Sequence, residues 1–259
     1  MEMGMERWLL FASTLFALIA AAQGTITVYR GQRSRLTLAW MILVICLQSA
    51  FLTLRGELRQ ACPLADFGEV LAYLAWSLTL FYLLVGPTYR ISLLGVFTAP
   101  VVVIFQAMAL IPGVMDADPQ AIAGTDPWGE THSATSVLSY GAFALAAIAG
   151  VMFLILDKQL KAHQLKSGLF KNLPPVRELI FSLTRLLWIG NLLLTIGIIA
   201  GMLMPKPDGL NSHFWAAIAV WLAYLVLLAV KMIRGMTGRQ LSRIAVLLFI
   251  LSLGVFALM

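Results

Sequence analysis

The chain has 259 residues, of which 61% are hydrophobic and only 12% charged, and its mean hydropathy is +0.91. Soluble domains carry roughly 45–50% apolar and about 25% charged residues, so this chain lacks the charge to cover a globular surface in water. A soluble enzyme, a disordered chain and a nucleic-acid binder are excluded, the last despite a pI near 9.6. The expected surroundings are the lipid bilayer and other apolar helices.

Uncharged apolar runs long enough to cross about 30 Å of hydrocarbon predict eight membrane helices in an all-α, polytopic bundle. In chain order they are Trp8–Tyr29, Leu36–Leu54, Val70–Val85, Ile91–Ile111, Ser133–Leu156, Leu179–Leu203, Phe214–Val230 and Ile244–Leu258. The first ends near a small-residue stretch, Ala20-Ala21-Ala22, that would suit a signal-peptide cleavage site. Its leading segment holds Glu2, Glu6 and Arg7 and lacks the net positive charge of a signal, so it is read as a span. A single membrane domain over residues 1–259 is expected.

Basic residues fall mainly after the odd-numbered spans. Arg30, Arg33 and Arg35 follow the first, Arg90 the third, Lys158, Lys161, Lys166, Lys171 and Arg177 the fifth, and Lys231, Arg234, Arg239 and Arg243 the seventh. The opposite side holds Arg7, Arg55, Arg59 and Lys206. The positive-inside rule makes the basic side cytoplasmic, so both termini are expected outside. Cys46 and Cys62 are too few for a disulfide framework and too far apart for a CxxC pair, and Cys46 is expected as a small buried side chain.

Between spans four and five, Pro112 to Thr131 contains Asp116, Asp118, Asp126 and Glu130 but no lysine or arginine, and Pro119, Gly124, Pro127 and Gly129 argue against a long helix there. Span five is expected to continue inward as an amphipathic helix over Asp157–Pro174, with Leu160, Leu165, Leu169 and Phe170 on one face. Inside the runs no Asp or Glu is found; Arg185, near the start of span six, is the one internal charge and can snorkel to the interface. Proton-relay and ion-pump chemistry therefore has no carboxylates to rest on, and no GxSxG or GxxxxGK[ST] motif is present.

Two of the three histidines stand out. His132 lies at the outer mouth of span five and His213 at the outer mouth of span seven. Two imidazoles at one depth on one face are what bis-histidine haem ligation requires. Trp128, Phe214 and Trp215 lie close by in sequence and suit a flat macrocycle; the same residues also fit an ordinary interfacial aromatic belt. His163 lies among cytoplasmic lysines and reads as solvated. In span six, Gly197-Ile-Ile-Ala-Gly201 has the GxxxG spacing that lets a neighbouring helix approach closely.

Three ordered stretches resemble the cytochrome c assembly superfamily (CcsA/CcmC-like), its HemX/YpjD-type inner-membrane branch above all. They are His132-Ser-Ala-Thr-Ser-Val-Leu-Ser-Tyr-Gly-Ala-Phe with Asp157-Lys-Gln-Leu-Lys161; Leu173-Pro174-Pro175 with the helix from Thr184-Arg185 through Gly190 and Thr195 to Gly201; and Trp221-Leu-Ala-Tyr224 with Arg234-Gly235-Met-Thr-Gly238-Arg239. Together they span about residues 128–259.

The resemblance implies a haem-handling protein of a bacterial cytoplasmic (inner) membrane, without turnover chemistry of its own. It would assist cytochrome c maturation or supply haem, with other maturation proteins or apocytochrome as partners. His132 stands where the family carries a histidine; His213 matches no family motif and rests on topology alone. The tryptophan-rich loop of the better-known members would fall in Met204–His213, which has no tryptophan. The expected site is His132 and His213 on the haem iron, flanked by Trp128 and Trp215. Two other readings stay open: a haem exporter, for which a cytoplasmic ligand such as His163 would speak, and a membrane scaffold or regulatory subunit that has lost the cofactor.

Overall fold

A computed structural model describes residues 4–30, 36–85, 92–122, 124, 126–161, 176–205 and 212–257. It contains the helices α1 (Met5–Tyr29), α2 (Leu36–Arg59), α3 (Phe67–Val85), α4 (Ser92–Ala109), α5 (Pro127–Lys161), α6 (Val176–Leu203), α7 (Ser212–Arg234) and α8 (Gly238–Ala257). Each expected span has its helix. Six of the helices are long and apolar enough to cross a membrane, and the apolar stretch of α4, Leu94–Ala109, is shorter. Helices are the form in which a lipid-embedded chain satisfies its own backbone, and the chain is a multi-pass membrane protein.

The helices extend past the apolar runs where local chemistry allows it. Asp126 caps α5, its carboxylate accepting the Gly129 N–H at 3.0 Å, and Pro127 takes the first helical position, where a missing N–H costs nothing. The expected break at Pro127 and Gly129 is therefore a helix start, and it places Trp128 and His132 on α5 itself. The inward extension of span five is helical as far as Lys161; the rest of the expected amphipathic segment lies outside the described residues.

The chain divides into two compact units, residues 1–125 with 166–174, and residues 126–165 with 175–259. In the first, α1 packs on α2 and α4, and α3 packs on α4 and α2. Leu10, Ala17, Met41, Val44, Phe51, Leu74, Leu78 and Val102 fill its interior. Gln106 Nε2 donates to Ser13 Oγ at 2.8 Å within it. Phe11, Leu15, Leu18 and Ile42 are exposed, an apolar exterior that suits acyl chains and not water. Cys46 is exposed as well, because it falls on the outer face of α2; the expectation of a buried thiol was wrong.

The first unit also holds charge that hydropathy places at the edge of the membrane and the fold buries. Arg55 and Arg59, assigned above to an outer loop, occupy the last two turns of α2, and Arg55 and Glu69 are both 0% exposed. Glu69 Oε1 accepts from Arg55 Nε at 2.6 Å and from Arg59 Nε at 2.9 Å, while Oε2 accepts the Ala65 N–H at 2.8 Å. Asp66 caps α3, accepting the Glu69 N–H at 2.7 Å, and its other oxygen lies 3.2 Å from Arg55 and 3.1 Å from Arg59. The loop after α4 is drawn in by Arg59 Nη2 to Asp116 at 2.7 Å, by Arg55 Nη2 to the Asp116 carbonyl at 2.9 Å and by Arg7 to the Met115 carbonyl at 2.7 Å. Buried guanidiniums persist only when paired and hydrogen-bonded, and here each has two or more partners. Hydrogen bonding to Arg59, with the charges of Arg59, Arg55 and Arg7, holds the Asp116 carboxyl below its ordinary value.

Candidate functional site

In the second unit α5 packs against α6 and α8, and α7 packs against α6 and α8. Its interior holds Phe143, Leu145, Leu183, Leu187, Tyr224, Leu228 and Leu241. The close approach of α5 and α6 follows from three glycines of α6. A Cβ on Gly190 would lie 2.5 Å from the Phe143 ring, one on Gly197 2.8 Å from Ser136 Oγ, and one on Gly201 2.7 Å from His132 Nδ1. As the number falls along α5 it rises along α6, so the two helices run antiparallel. One stripe of missing side chains receives one stripe of α5 side chains. Phe143 also stacks on Tyr224 of α7, with ring centroids 3.8 Å apart and planes 6° from parallel.

His132 lies in the second turn of α5, half-buried, with its ring in the space that Gly201 leaves. Its Nδ1 is 2.7 Å from the Gly197 carbonyl oxygen. A backbone carbonyl only accepts, so Nδ1 carries the proton. In the neutral ring the lone pair then resides on Nε2, the tautomer that a carbonyl partner imposes on metal-binding histidines. This donor set fits a haem iron, which His132 would help to hold through Nε2.

α7 packs on the α6 side of this arrangement. Trp221 Nε1 donates to Thr195 Oγ1 at 2.8 Å, which ties α7 to α6. His213 is the second residue of α7; its side chain lies outside the described residues, as does the whole of His163. Trp128, in the first turn of α5, is 47% exposed, and Trp215, in the first turn of α7, is 59% exposed. Trp215 meets Phe214 edge to face, with centroids 6.5 Å apart. Trp128 therefore shares the head of α5 with His132, and both indoles are set outward where a ligand or headgroup can reach them. Arg185, expected to snorkel, is exposed and lies over the Phe181 ring at 5.1 Å.

The sequence pointed to His132 and to close packing at Gly197 and Gly201 as separate features. It did not join them, because the partners lie 65 residues apart. The Arg55–Arg59–Glu69 cluster was missed altogether, although Asp66-Phe-Gly-Glu69 has the spacing of a helix-capping pair.

The family described as Cytochrome C assembly protein matches residues 64–257, a stretch that begins just ahead of α3 and takes in all but the last two residues of the second unit. Among curated proteins, a cytochrome c biogenesis protein CcsA of Synechococcus sp. (strain CC9902) is 26% identical over 264 residues, covering 91% of this chain and 87% of the relative. The CcsA of Chlamydomonas reinhardtii is 27% identical over 210 residues, 77% of this chain and 58% of the relative. That of Guillardia theta is 26% identical over 210 residues, 73% and 70%. With the match running across most of its length, this chain belongs to the cytochrome c assembly protein family.

Proposed function

We propose that this protein binds haem at the end of its second unit where α5 begins, and that it serves cytochrome c maturation or the supply of haem to related membrane enzymes. One observation carries the reading: His132 donates from Nδ1 to the Gly197 carbonyl at 2.7 Å, which leaves the lone pair of the neutral ring on Nε2, the nitrogen a metal would take. His132 and His213 would hold the iron, with Trp128 and Trp215 as the aromatic residues that would help to bind the haem. Bound there, haem supplies an iron centre whose ligation the protein sets through its imidazoles; the chain's part is to hold, orient and present it.

The basic residues after the odd-numbered spans support an orientation with both termini outside, so that the site opens outward, and the family resemblance points to a bacterial cytoplasmic membrane. We treat residues 1–259 as one membrane domain in function, with the motifs of the HemX/YpjD branch in 128–259. Partners would be other maturation proteins or apocytochrome. The tryptophan-free stretch Met204–His213 favours holding or relaying haem over attaching it covalently.

The test is a haemin titration of the purified protein in detergent, followed by visible spectroscopy. A sharp Soret band that is lost in His132→Ala and kept in His163→Ala is the expected result. No band at any haemin level, or a band that survives His132→Ala, would overturn the reading. Cysteine placed at residue 132 should be labelled from outside; labelling only from the cytoplasm would reverse the orientation.

A further inference from the structure

We propose that Gly197 and Gly201 act as positioning residues for His132: the missing side chain at 201 makes the slot for the imidazole, and the carbonyl of 197 fixes its tautomer. The inference rests on the haem-binding reading for its purpose, but its physical content concerns the protein alone. A methyl at 201 would sit 2.7 Å from Nδ1, 3.1 Å from Cε1 and 3.4 Å from Cγ. Real Cβ atoms do not approach that closely, so the ring must shift. A shift away from the methyl strains the 2.7 Å bond to Gly197 O, because that bond and the clash share the Nδ1 edge. Gly197 has its own reason to lack a side chain: its Cβ would lie 2.8 Å from Ser136 Oγ and 3.1 Å from Thr135 Oγ1, and the helices would separate beside the imidazole.

The GxxxG stripe is therefore more than a packing device. Gly190 accommodates an aromatic ring of the core, whereas Gly201 accommodates a ring with a lone pair. Displacing the imidazole would let Nδ1–H and Nε2–H forms interchange and would free the ring to rotate, so a ligand at Nε2 would meet a ring no longer preset for it.

Nuclear magnetic resonance of the ligand-free protein in nanodiscs, with ring-15N histidine, tests the placement directly. Wild-type protein should show one histidine, identified by its loss in His132→Gln, with a hydrogen-bonded Nδ1–H and an unprotonated Nε2. Gly201→Ala should abolish that signature. An Nε2–H tautomer in the wild type, or a signature unchanged in Gly201→Ala, would overturn the proposal; the wild-type measurement stands even where the variant fails to fold. Haemin affinity should fall about 10–100-fold in Gly201→Ala, the usual loss when an outer partner of a metal-binding histidine is removed.

If wild-type protein binds no haemin, the functional reading fails, while the ring signals still decide whether the two glycines set the tautomer.

Discussion

Replacing Glu69 by Gln should be the most damaging single-atom change in the first unit. The side chain is 0% exposed, and its carboxylate takes three hydrogen bonds: from Arg55 Nε at 2.6 Å, from Arg59 Nε at 2.9 Å and from the Ala65 N–H at 2.8 Å. Glutamine keeps the shape but loses the charge, and its amide group turns a donor toward groups that are themselves donors. Arg55, also 0% exposed, is left with the Asp116 carbonyl at 2.9 Å, Asp66 at 3.2 Å and Glu6 at 3.7 Å. Breaking a buried ion pair by neutralising one partner costs about 3–5 kcal/mol, and the low-dielectric surroundings of an arginine at the end of a membrane helix favour the upper half of that range.

The assay is equilibrium unfolding in mixed micelles with rising dodecyl sulfate, with Glu57→Gln as the control. Glu57 is exposed on the same turn of α2, and a surface change away from special features shifts stability by no more than about 0.5 kcal/mol. The cluster should therefore separate the two variants by several kcal/mol. Arg55→Lys should fall between them, since it keeps a charge and loses the fork that reaches Glu69, Asp66 and the Asp116 carbonyl together. A Glu69→Gln loss within about 1 kcal/mol of the control would place the cluster on the scale of solvated ion pairs and refute the argument from burial.

Asp116 gives a pH test with a defined sign. Its carboxyl is held below the ordinary value by hydrogen bonding to Arg59, so its hold on the loop after α4 is complete above the unfolded value, about 3.9, and is lost as pH falls through the lower folded value. Protease cleavage of residues 110–122 should stay constant through the neutral range and rise only in acid. Asp116→Asn should show the acid-state cleavage at every pH, although the half-exposed side chain (57%) keeps the effect modest. In the second unit, Gly190→Ala should destabilise by about 1–3 kcal/mol through overpacking against Phe143. Adding Phe143→Val should recover part of that loss in unfolding experiments, a coupling that only direct contact produces. Strict additivity of the two changes would remove Phe143 from the α5–α6 contact.

Helix number, order and approximate limits followed from composition along the chain. A run of twenty or so apolar residues has one stable form in lipid, and that requirement is local. Caps are also local, and Asp126 with Pro127 could have been recognised as a helix start; treating the proline as a breaker hid the fact that the first helical turn has no use for its N–H. Charge was harder. Averaged hydropathy sees Arg55, Arg59 and Glu69 only as the point where a span stops, whereas their energies depend on which opposite charge folds beside them. The carboxylates come from α1, from the cap of α3 and from the loop after α4, and no window on the sequence contains all three.

His132 shows the same division. Its residue type and its place at the head of a membrane helix were visible in the sequence, and so was the GxxxG spacing on another helix. That the ring fills the gap at Gly201, and that the carbonyl at Gly197 chooses its protonated nitrogen, depends on the register of two antiparallel helices. A register is a relation between distant residues, set by which side chains fit which gaps over the whole length of the contact. The chain's periodicity specifies the surfaces that meet; packing decides the atoms that touch.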